Sequence, residues 1–265
     1  MNLLRAYLHR RPRLDFVIVG AEKAGTTALF AYLRTVPGLH LPLIKELNFF
    51  DREQRYGDGS DFSLLHRWLF LAPRAAIRGE ATPTYLMNPH CLQRIYDYNP
   101  DIKIIAILRS PVRRAHSAWN YRRARLRDSR DFLTAVRVEV ESGADTRVAR
   151  ENKYRYVGAG CYAAQIREAQ RVFPAHNLLL IKYEDFNGDQ PGHVRNVVRF
   201  LGGPGDFHLQ RVRRVNVWGY QRPLLREEFD AVLPHYLPDI AEVEQLTGWD
   251  CSDWRRFEDN KPIAT

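Results

Sequence analysis

A short apolar run that leads into a glycine-rich loop constrains the fold of this chain more than any other feature. The run DFVIV at 15–19 ends at Gly20, and the loop continues through Lys23 and Gly25 into a helical pattern over 26–34. A β-branched run without alternation is typical of a strand buried on both faces. Glycines let the following backbone curl, so that several N–H groups and a helix N-terminus converge on one anion. The segment therefore predicts a strand, an anion-binding loop and a helix.

The alternation of strand and helix patterns continues along the chain. Further apolar strands are predicted at 77–80, 102–108 and 177–183, and further helices at 89–98, 111–127, 131–141, 159–172, 190–201 and 224–246. Such strands between helices predict an α/β fold, a single domain over 15–265 with a central parallel β-sheet flanked by helices on both faces. A basic arm, 1–14, precedes it. Parallel sheets bind ligands beyond the carboxyl ends of their strands, so the site is expected in those turns.

Composition limits the classes of function. The 265 residues carry 40 Lys and Arg against 31 Asp and Glu, and the formal charge of +9 favours an anionic partner. Three scattered cysteines argue against a disulfide scaffold or a structural zinc site and fit a reducing compartment. The sequence has no secretory leader pattern and no run of eighteen apolar residues, so neither a leader nor a membrane-spanning helix is expected. For the basic arm, membrane-surface contact is the lesser alternative to a plain chain start.

The glycine-rich loop departs from the pattern of nucleotide triphosphatases. Gly20 and Gly25 have the spacing of G-x-x-x-x-G-K-[ST], but Thr26 stands where that pattern has its Lys, and Lys23 precedes the second glycine. The displaced Lys argues against an ATP or GTP hydrolase and for a shorter anionic group. Lys23 and the hydroxyl groups of Thr26 and Thr27 are its candidate ligands. The alternative is an ordinary strand–glycine–helix turn without a ligand.

Several segments, in order, resemble the sulfotransferases that use 3′-phosphoadenosine 5′-phosphosulfate (PAPS). FVIVGAEKAGTTALFAYL resembles their 5′-phosphosulfate loop, and IIAILRSPVRRAHSAW resembles their 3′-phosphate strand and helix. LIKELNFFD and GEATPTYL resemble segments of heparan sulfate-type enzymes and their bacterial relatives. GCYAAQIREAQRVFPAHNLLLIKYEDF is similar to the family's G-x-Y-x-x-Q segment and next strand, and GWDCSDW resembles the ending of bacterial members. The resemblance spans nearly the whole chain and implies a P-loop NTPase-like sulfotransferase fold.

The resemblance implies two groups of cofactor-binding residues. The residues expected to bind the 5′-phosphosulfate are Lys23, Ala24, Gly25, Thr26, Thr27 and Ala28. Arg109 ends the strongest predicted strand and offers a planar guanidinium suited to phosphate. The family places an Arg and a Ser at the positions of Arg109 and Ser117, on the 3′-phosphate; the alternative is that both face solvent. Arg113 and Arg114 are expected to be solvated.

A late basic segment, 211–223, falls where the family has a loop over the cofactor. Its candidate cofactor-binding residues are Tyr220 and Arg222, together with Arg213 and Arg214. The segment lacks the K-G-x-x-G-D-W pattern of the cytosolic hormone-type enzymes and the K-G-R of the heparan enzymes, so these individual roles are hypotheses.

The chemistry of sulfuryl transfer needs cations at the leaving oxygen and a base at the acceptor, by analogy with phosphoryl transfer. Lys23 is the candidate cation, with Lys45 as a second, and Glu80 is the candidate base at the end of a predicted strand. Heparan-type relatives have a Glu at the matching position. The alternative for Glu80 is an ion pair with Arg78. Ala81 stands where many relatives have Lys, which leaves the acceptor open.

Catalysis by a metal or by histidine finds no pattern in this sequence. There is no H-E-x-x-H, EF-hand loop or zinc spacing, and the resemblance implies that no metal is required. None of the nine histidines is a compelling base, and His116 is expected to be a helix-face residue.

The favoured function is therefore sulfuryl transfer from PAPS to a hydroxyl or amine, with a glycan, phenol or lipid head group as acceptor and a carbohydrate fitting the heparan relatives best. The walls of the acceptor-binding site are expected in 52–75 and 120–157. A P-loop nucleotide or small-molecule kinase is the first alternative. A nucleic-acid-binding protein is the second, suggested by the arginines of 122–127 beside Trp119 and Tyr121. A cytoplasmic, bacterial enzyme is expected, and the oligomeric state stays open.

Overall fold

Five parallel strands form the central sheet of the part of the chain that the structure describes. The structure is a computed structural model and describes residues 13–52, 56, 62, 65, 76–142, 155–209 and 222–258. The strands are β1 Phe16–Gly20, β2 Leu39–His40, β3 Ile77–Ala81, β4 Lys103–Leu108 and β5 Leu178–Lys182, in the order β2-β3-β1-β4-β5. All neighbouring pairs run parallel, as predicted.

The register of the sheet brings three of the predicted ligand turns to one edge. Val17 of β1 lies opposite Glu80 of β3 on one side and Ile104 of β4 on the other. The loops that leave the carboxyl ends of these adjacent strands therefore start side by side. Every residue of β1 is buried. Because side chains alternate across a strand, both faces of the sheet are covered at its centre.

The helices follow the predicted pattern over most of the described chain. Their bounds are α1 Thr26–Leu33, α2 Pro89–Tyr98, α3 Pro111–Arg123, α4 Phe132–Glu141, α5 Tyr162–Val172, α6 Tyr183–Gly188, α7 Gln190–Leu201, α8 Arg226–Val232 and α9 Leu237–Thr247. Asn88 caps α2 as predicted, because its side chain accepts a hydrogen bond from the N–H of His90 at 3.1 Å.

The prediction of one long helix over 224–246 was wrong. The segment forms α8, a 3₁₀ turn at Leu233–His235 and then α9. Pro234 and Pro238 are each the second residue of a new helical segment, because a proline lacks the N–H that would continue the preceding turn. The helix after Ser110 also ends earlier than predicted, at Arg123. Ser110 occupies its N-cap position, but its side chain makes no cap bond within the described residues.

Burial of the N-terminal junction and of one arginine differs from the simple sequence expectation. Leu14 is fully buried, and its N–H donates to the Tyr98 hydroxyl at 2.9 Å, whereas residues 1–12 of the predicted arm lie outside the described residues. Arg114 is fully buried rather than solvated, and its guanidinium donates to the carbonyl of Tyr156. Within the described ranges, no helix is both long and apolar enough to cross a membrane.

Candidate functional site

The glycine-rich loop curls tightly between β1 and α1. The N–H of Ala21 donates to the carbonyl of Ile107 at 2.7 Å, and the N–H of Ala24 donates back to Ala21 at 3.2 Å. Lys23 has φ 70° and Gly25 has φ 91°, so both lie in the left-handed region. Gly25 is the N-cap of α1, which has no side-chain cap bond and no acidic residue in its first turn. The first N–H groups of the helix are therefore suited to an anion.

Arg109 reaches from the end of β4 to the curled loop. Its Nη1 donates to the carbonyl oxygen of Lys23 at 3.2 Å, and its guanidinium carbon lies 4.7 Å from the ring centroid of Tyr183. A Cβ placed on Gly25 would meet the same Tyr183 ring at 3.0 Å. The structure thus brings Arg109 and Lys23, the residues predicted for the two ends of the cofactor, into contact. Tyr183 lies beside Arg109 and beside Gly25 of the loop.

Tyr183 and Tyr121 are site residues that sequence reasoning missed. Tyr183 directly follows β5 and so lies at the same sheet edge as the loop, a position that could have been noticed. Tyr121 lies in α3 one turn after Ser117, and the Nζ of Lys23 is 4.2 Å from its ring centroid. Ser117 itself is only 5% exposed. The face of α3 that carries Tyr121 therefore lies beside the loop.

Glu80 is fully buried at the carboxyl end of β3. The Thr82 hydroxyl donates to its Oε2 at 2.9 Å, while Oε1 is buried without a hydrogen-bond partner among the residues described. Burial raises the pKa of Glu80 to about 8, against the lowering effects of the Thr82 hydrogen bond and the charge of Lys45. The alternative partner, Arg78, lies instead against Asp15, whose Oδ2 accepts from the Arg78 backbone N–H at 2.6 Å.

Lys45 belongs to a segment that runs alongside the end of β3. The N–H of Glu46 donates to the carbonyl of Ala81 at 2.9 Å, and the Lys45 Nζ lies 2.8 Å from the Glu46 carboxylate. Its side chain is 14% exposed. The positive charge of Lys45 lowers the pKa of the buried Glu80 carboxyl. Lys45 and Glu80 therefore share one side of the site.

The segment that follows Glu80 closes over the end of β1. The N–H of Thr82 donates to the carbonyl of Ile18 at 3.1 Å, and the N–H of Leu86 donates to that of Val19 at 2.9 Å. These bonds continue the pairing of β3 with β1 beyond the strand itself. They connect the candidate base to the strand that leads into the loop.

The late basic segment is described only at its end. Arg213, Arg214 and Tyr220 lie outside the described residues. Arg222 forms an ion pair with Glu228 of α8, and its guanidinium carbon lies 4.9 Å from the ring centroid of Trp119 in α3. The contacts that the structure gives Arg222 are therefore with α3 and α8, and its cofactor role stays a prediction.

Two arginines of the run after Trp119 contact other residues of the protein. Arg122 forms an ion pair with Glu22 at 3.1 Å, and Arg123 donates to the carbonyl of Ser129 at 2.8 Å. Arg125 and Arg127 of the same run are exposed, and the nucleic-acid alternative stays a prediction.

His116 lies buried in α3 against an aromatic side chain. Burial lowers the pKa of His116 to about 4, and its ring packs edge-on against Phe132, with centroids 5.1 Å apart. It is a buried helix residue that is neutral at physiological pH. In the ranges that the structure covers, no group of three potential metal-ligating residues comes together.

Comparison with known proteins identifies the family of this chain. Residues 13–214 match the sequence profile of the family described as "Sulfotransferase domain". The chain belongs to the sulfotransferase family. The predicted family, fold class and class of enzyme are thereby confirmed, and sulfotransferases of this family use PAPS as the donor of the sulfuryl group.

Relatives in the sulfotransferase family include human and mouse enzymes. The human heparan sulfate glucosamine 3-O-sulfotransferase 6 is 31% identical over 193 residues, which cover 73% of this chain and 53% of that protein. The mouse heparan sulfate glucosamine 3-O-sulfotransferase 3B1 is 28% identical over 186 residues, covering 70% of this chain and 45% of that protein. The chain thus spans about half the length of the curated relatives it matches.

A solved sulfotransferase has the same architecture. The crystal structure of a sulfotransferase from Alicyclobacillus acidocaldarius superimposes with a TM-score of 0.80 at 30% identity. The match covers 92% of this chain and all of that chain. The arrangement of strands and helices described above is therefore that of a sulfotransferase.

Proposed function

We propose that this protein transfers a sulfuryl group from PAPS to a hydroxyl group of a carbohydrate, with an amine as the other acceptor chemistry. The observation that carries the proposal is the contact between Arg109 and the backbone of Lys23, since it joins two anion-binding elements at one sheet edge. The uncapped first turn of α1, which follows Gly25 and carries no acidic side chain, fits a phosphate group. Bound PAPS would supply the activated sulfuryl group.

Two groups of residues hold the cofactor in this proposal. The backbone of Ala24, Gly25 and Ala28 and the side chains of Thr26 and Thr27 surround the 5′-phosphosulfate. Arg109 and Ser117 bind the 3′-phosphate, and Arg222 with Tyr220 covers the nucleoside side. The support is the common location of the loop and Arg109 at the ends of adjacent strands, together with membership of the family.

Lys23 and Glu80 divide the chemistry of the reaction. The Lys23 ammonium stabilises the negative charge that develops on the leaving phosphate, and Lys45 adds a second positive charge on the acceptor side. The Oε1 atom of Glu80 takes the proton of the acceptor hydroxyl as that oxygen attacks sulfur in line. This atom is supported as the base because Thr82 already occupies Oε2 and Oε1 has no partner in the described part of the protein.

A carbohydrate acceptor is supported by relatives that are named for heparan sulfate glucosamine. Ala81 leaves this chain without a lysine directly after Glu80, so an acceptor different from theirs is compatible with the same reaction.

A binding and transfer experiment tests the proposal. Calorimetric titration with 3′-phosphoadenosine 5′-phosphate (PAP) should show micromolar binding without metal, and ATP with Mg²⁺ should bind far more weakly. Transfer of labelled sulfate from PAPS to a panel of glycans, phenols and lipids should then label a glycan. Lys23→Ala should lose transfer, whereas Arg195→Ala, at an exposed position of α7, should retain it. Preference for ATP-Mg²⁺ with phosphate transfer would instead support the kinase alternative.

A further inference from the structure

We infer that Tyr121 is a positioning residue that holds the Lys23 ammonium in its working place, an inference that rests on the role proposed for Lys23. The Lys23 Nζ lies 4.2 Å from the centroid of the Tyr121 ring. A cation over an aromatic face is attracted by the electron density of the ring, and this attraction grows where water is excluded. Unlike a carboxylate, an aromatic ring carries no net charge, so this contact itself does not neutralise the ammonium.

The backbone and the side chain of Lys23 both contact the segment from the end of β4 through α3. The Lys23 carbonyl oxygen accepts a hydrogen bond from Arg109, which follows β4, and its ammonium lies over Tyr121 near the end of α3. Its backbone has φ 70°, a conformation that costs free energy for a residue with a Cβ and persists only where the surroundings hold it. The direction of the Lys23 side chain is thus set by β4 and α3 as well as by the loop.

The neighbouring charges support this role for the ring. Glu22, the carboxylate next to Lys23 in sequence, forms an ion pair with Arg122 at 3.1 Å. Arg125 also lies over Tyr121, with its guanidinium carbon 4.2 Å from the ring centroid. The consecutive loop residues Glu22 and Lys23 therefore meet the consecutive helix residues Arg122 and Tyr121. The guanidinium carbon of Arg122 also lies 5.7 Å from the Tyr121 ring centroid, so this ring is the aromatic surface that Lys23, Arg122 and Arg125 share.

Helical spacing relates Tyr121 to the second proposed phosphate site. Ser117 and Tyr121 are four residues apart in α3 and so lie on one face, one turn from each other. A rigid helix therefore sets the distance between the Ser117 hydroxyl and the ring under Lys23. In this way α3 aligns the catalytic cation with the 3′-phosphate end of the same ligand.

The test is a double-mutant cycle between Tyr121 and Lys23, with PAP affinity and kcat as measurements. Tyr121→Phe keeps the ring and should retain at least about half of wild-type kcat. Tyr121→Leu removes it and should lower kcat about 3- to 30-fold, the range for a partly desolvated cation–π contact. The acceptor KM should stay within about twofold, because Tyr121 acts through Lys23. In the Lys23→Ala background, Tyr121→Leu should change PAP affinity by less than about twofold.

The outcomes separate this inference from the proposed function. If Lys23→Ala abolishes transfer but Tyr121→Leu is fully active, the inference fails and the proposed function stands. An equal loss of PAP affinity from Tyr121→Leu in both backgrounds would also overturn it, because the ring would then act without Lys23. Full activity of Lys23→Ala would overturn both. Tyr121→Met, close to Leu in polarity but longer, replaces Tyr121→Leu if thermal unfolding shows that the Leu variant does not fold.

Discussion

The guanidinium of Arg109 donates a hydrogen bond to the carbonyl oxygen of Lys23 at 3.2 Å, although the two residues are 86 positions apart in sequence. Each residue is the proposed centre of one anion-binding element, one at the end of β4 and one in the loop after β1. Because adjacent parallel strands end together, the sheet brings the two elements into contact. Binding at one element is therefore expected to depend on the integrity of the other.

Replacing Arg109 should reveal this dependence. Arg109→Lys keeps the charge but loses the planar fork and the bond to Lys23, so PAP affinity should fall about 10- to 100-fold by calorimetry. Arg137→Ala, an exposed arginine in α4, is the matched control and should bind as the wild type does. An Arg109→Lys variant that binds PAP within twofold of wild type would show that the fork is not needed.

The pH dependence of turnover should follow Glu80. A carboxyl whose pKa burial raises to about 8 is mostly protonated at neutral pH and cannot accept a proton in that form. We therefore expect kcat/KM to rise with pH through a midpoint near 8, a profile that reports the free enzyme. Glu80→Gln should lower kcat at least about 100-fold and flatten this limb, with PAP affinity unchanged. If kcat/KM of the Glu80→Gln variant still rises with pH through the same midpoint, the titration belongs to another group.

The same substitution should stabilise the fold at alkaline pH. The pKa of Glu80 is raised above its unfolded value near 4.5, so between these two values the folded state binds more protons than the unfolded state, and wild-type stability falls as pH rises. Glu80→Gln has no proton to lose. It should unfold about 2–4 °C above wild type at pH 9, the shift that about 1 kcal/mol produces in a domain of this size.

The control for this stability difference is the same pair of proteins at pH 4. There the wild-type carboxyl is protonated in both states, so the two melting temperatures should differ by less than about 1 °C. Equal stability of the two proteins at both pH values would argue that Glu80 is not destabilised by burial.

Gly25 offers a test of the contact with Tyr183. Gly25 and Gly38 both have left-handed backbones, with φ 91° and 83°, so alanine is strained at either position. Only at Gly25 does a Cβ approach a ring, at 3.0 Å, whereas nothing lies within 4 Å at Gly38. Gly25→Ala should therefore lose PAP binding, and Gly38→Ala should lose about 1 kcal/mol of stability with PAP binding intact. Equal PAP affinity in the two variants would argue that the close approach of Tyr183 to Gly25 is not needed for PAP binding.

Local patterns in the sequence were sufficient to predict the central strands and the loop. The run ending at Gly20 became β1, and the proline after Asn88 marked the start of α2 as expected. The prediction of one helix over 224–246 was wrong because Pro234 and Pro238, each the second residue of a new segment, interrupt the amphipathic spacing. Strand β2 has only two residues, Leu39 and His40, too few to show a period of two.

Residues of the site that depend on tertiary packing could not be predicted from spacing. Lys23 and Arg109 follow strands, and their meeting follows from parallel pairing. Tyr121 and Tyr183 enter the site only because α3 and β5 pack beside the loop. The burial of Arg114 likewise depends on the carbonyl of Tyr156, which comes from another part of the chain and has no local signal.

The closure of the segment after Glu80 over the end of β1, through the bonds from Thr82 and Leu86, has an evolutionary consequence. The proposed base and the proposed phosphate loop are parts of one hydrogen-bonded framework, so the distance between them is inherited with the sheet. Surface loops elsewhere can diverge without disturbing that distance. A lineage with this architecture can therefore change which molecule it modifies while its reaction geometry stays constant.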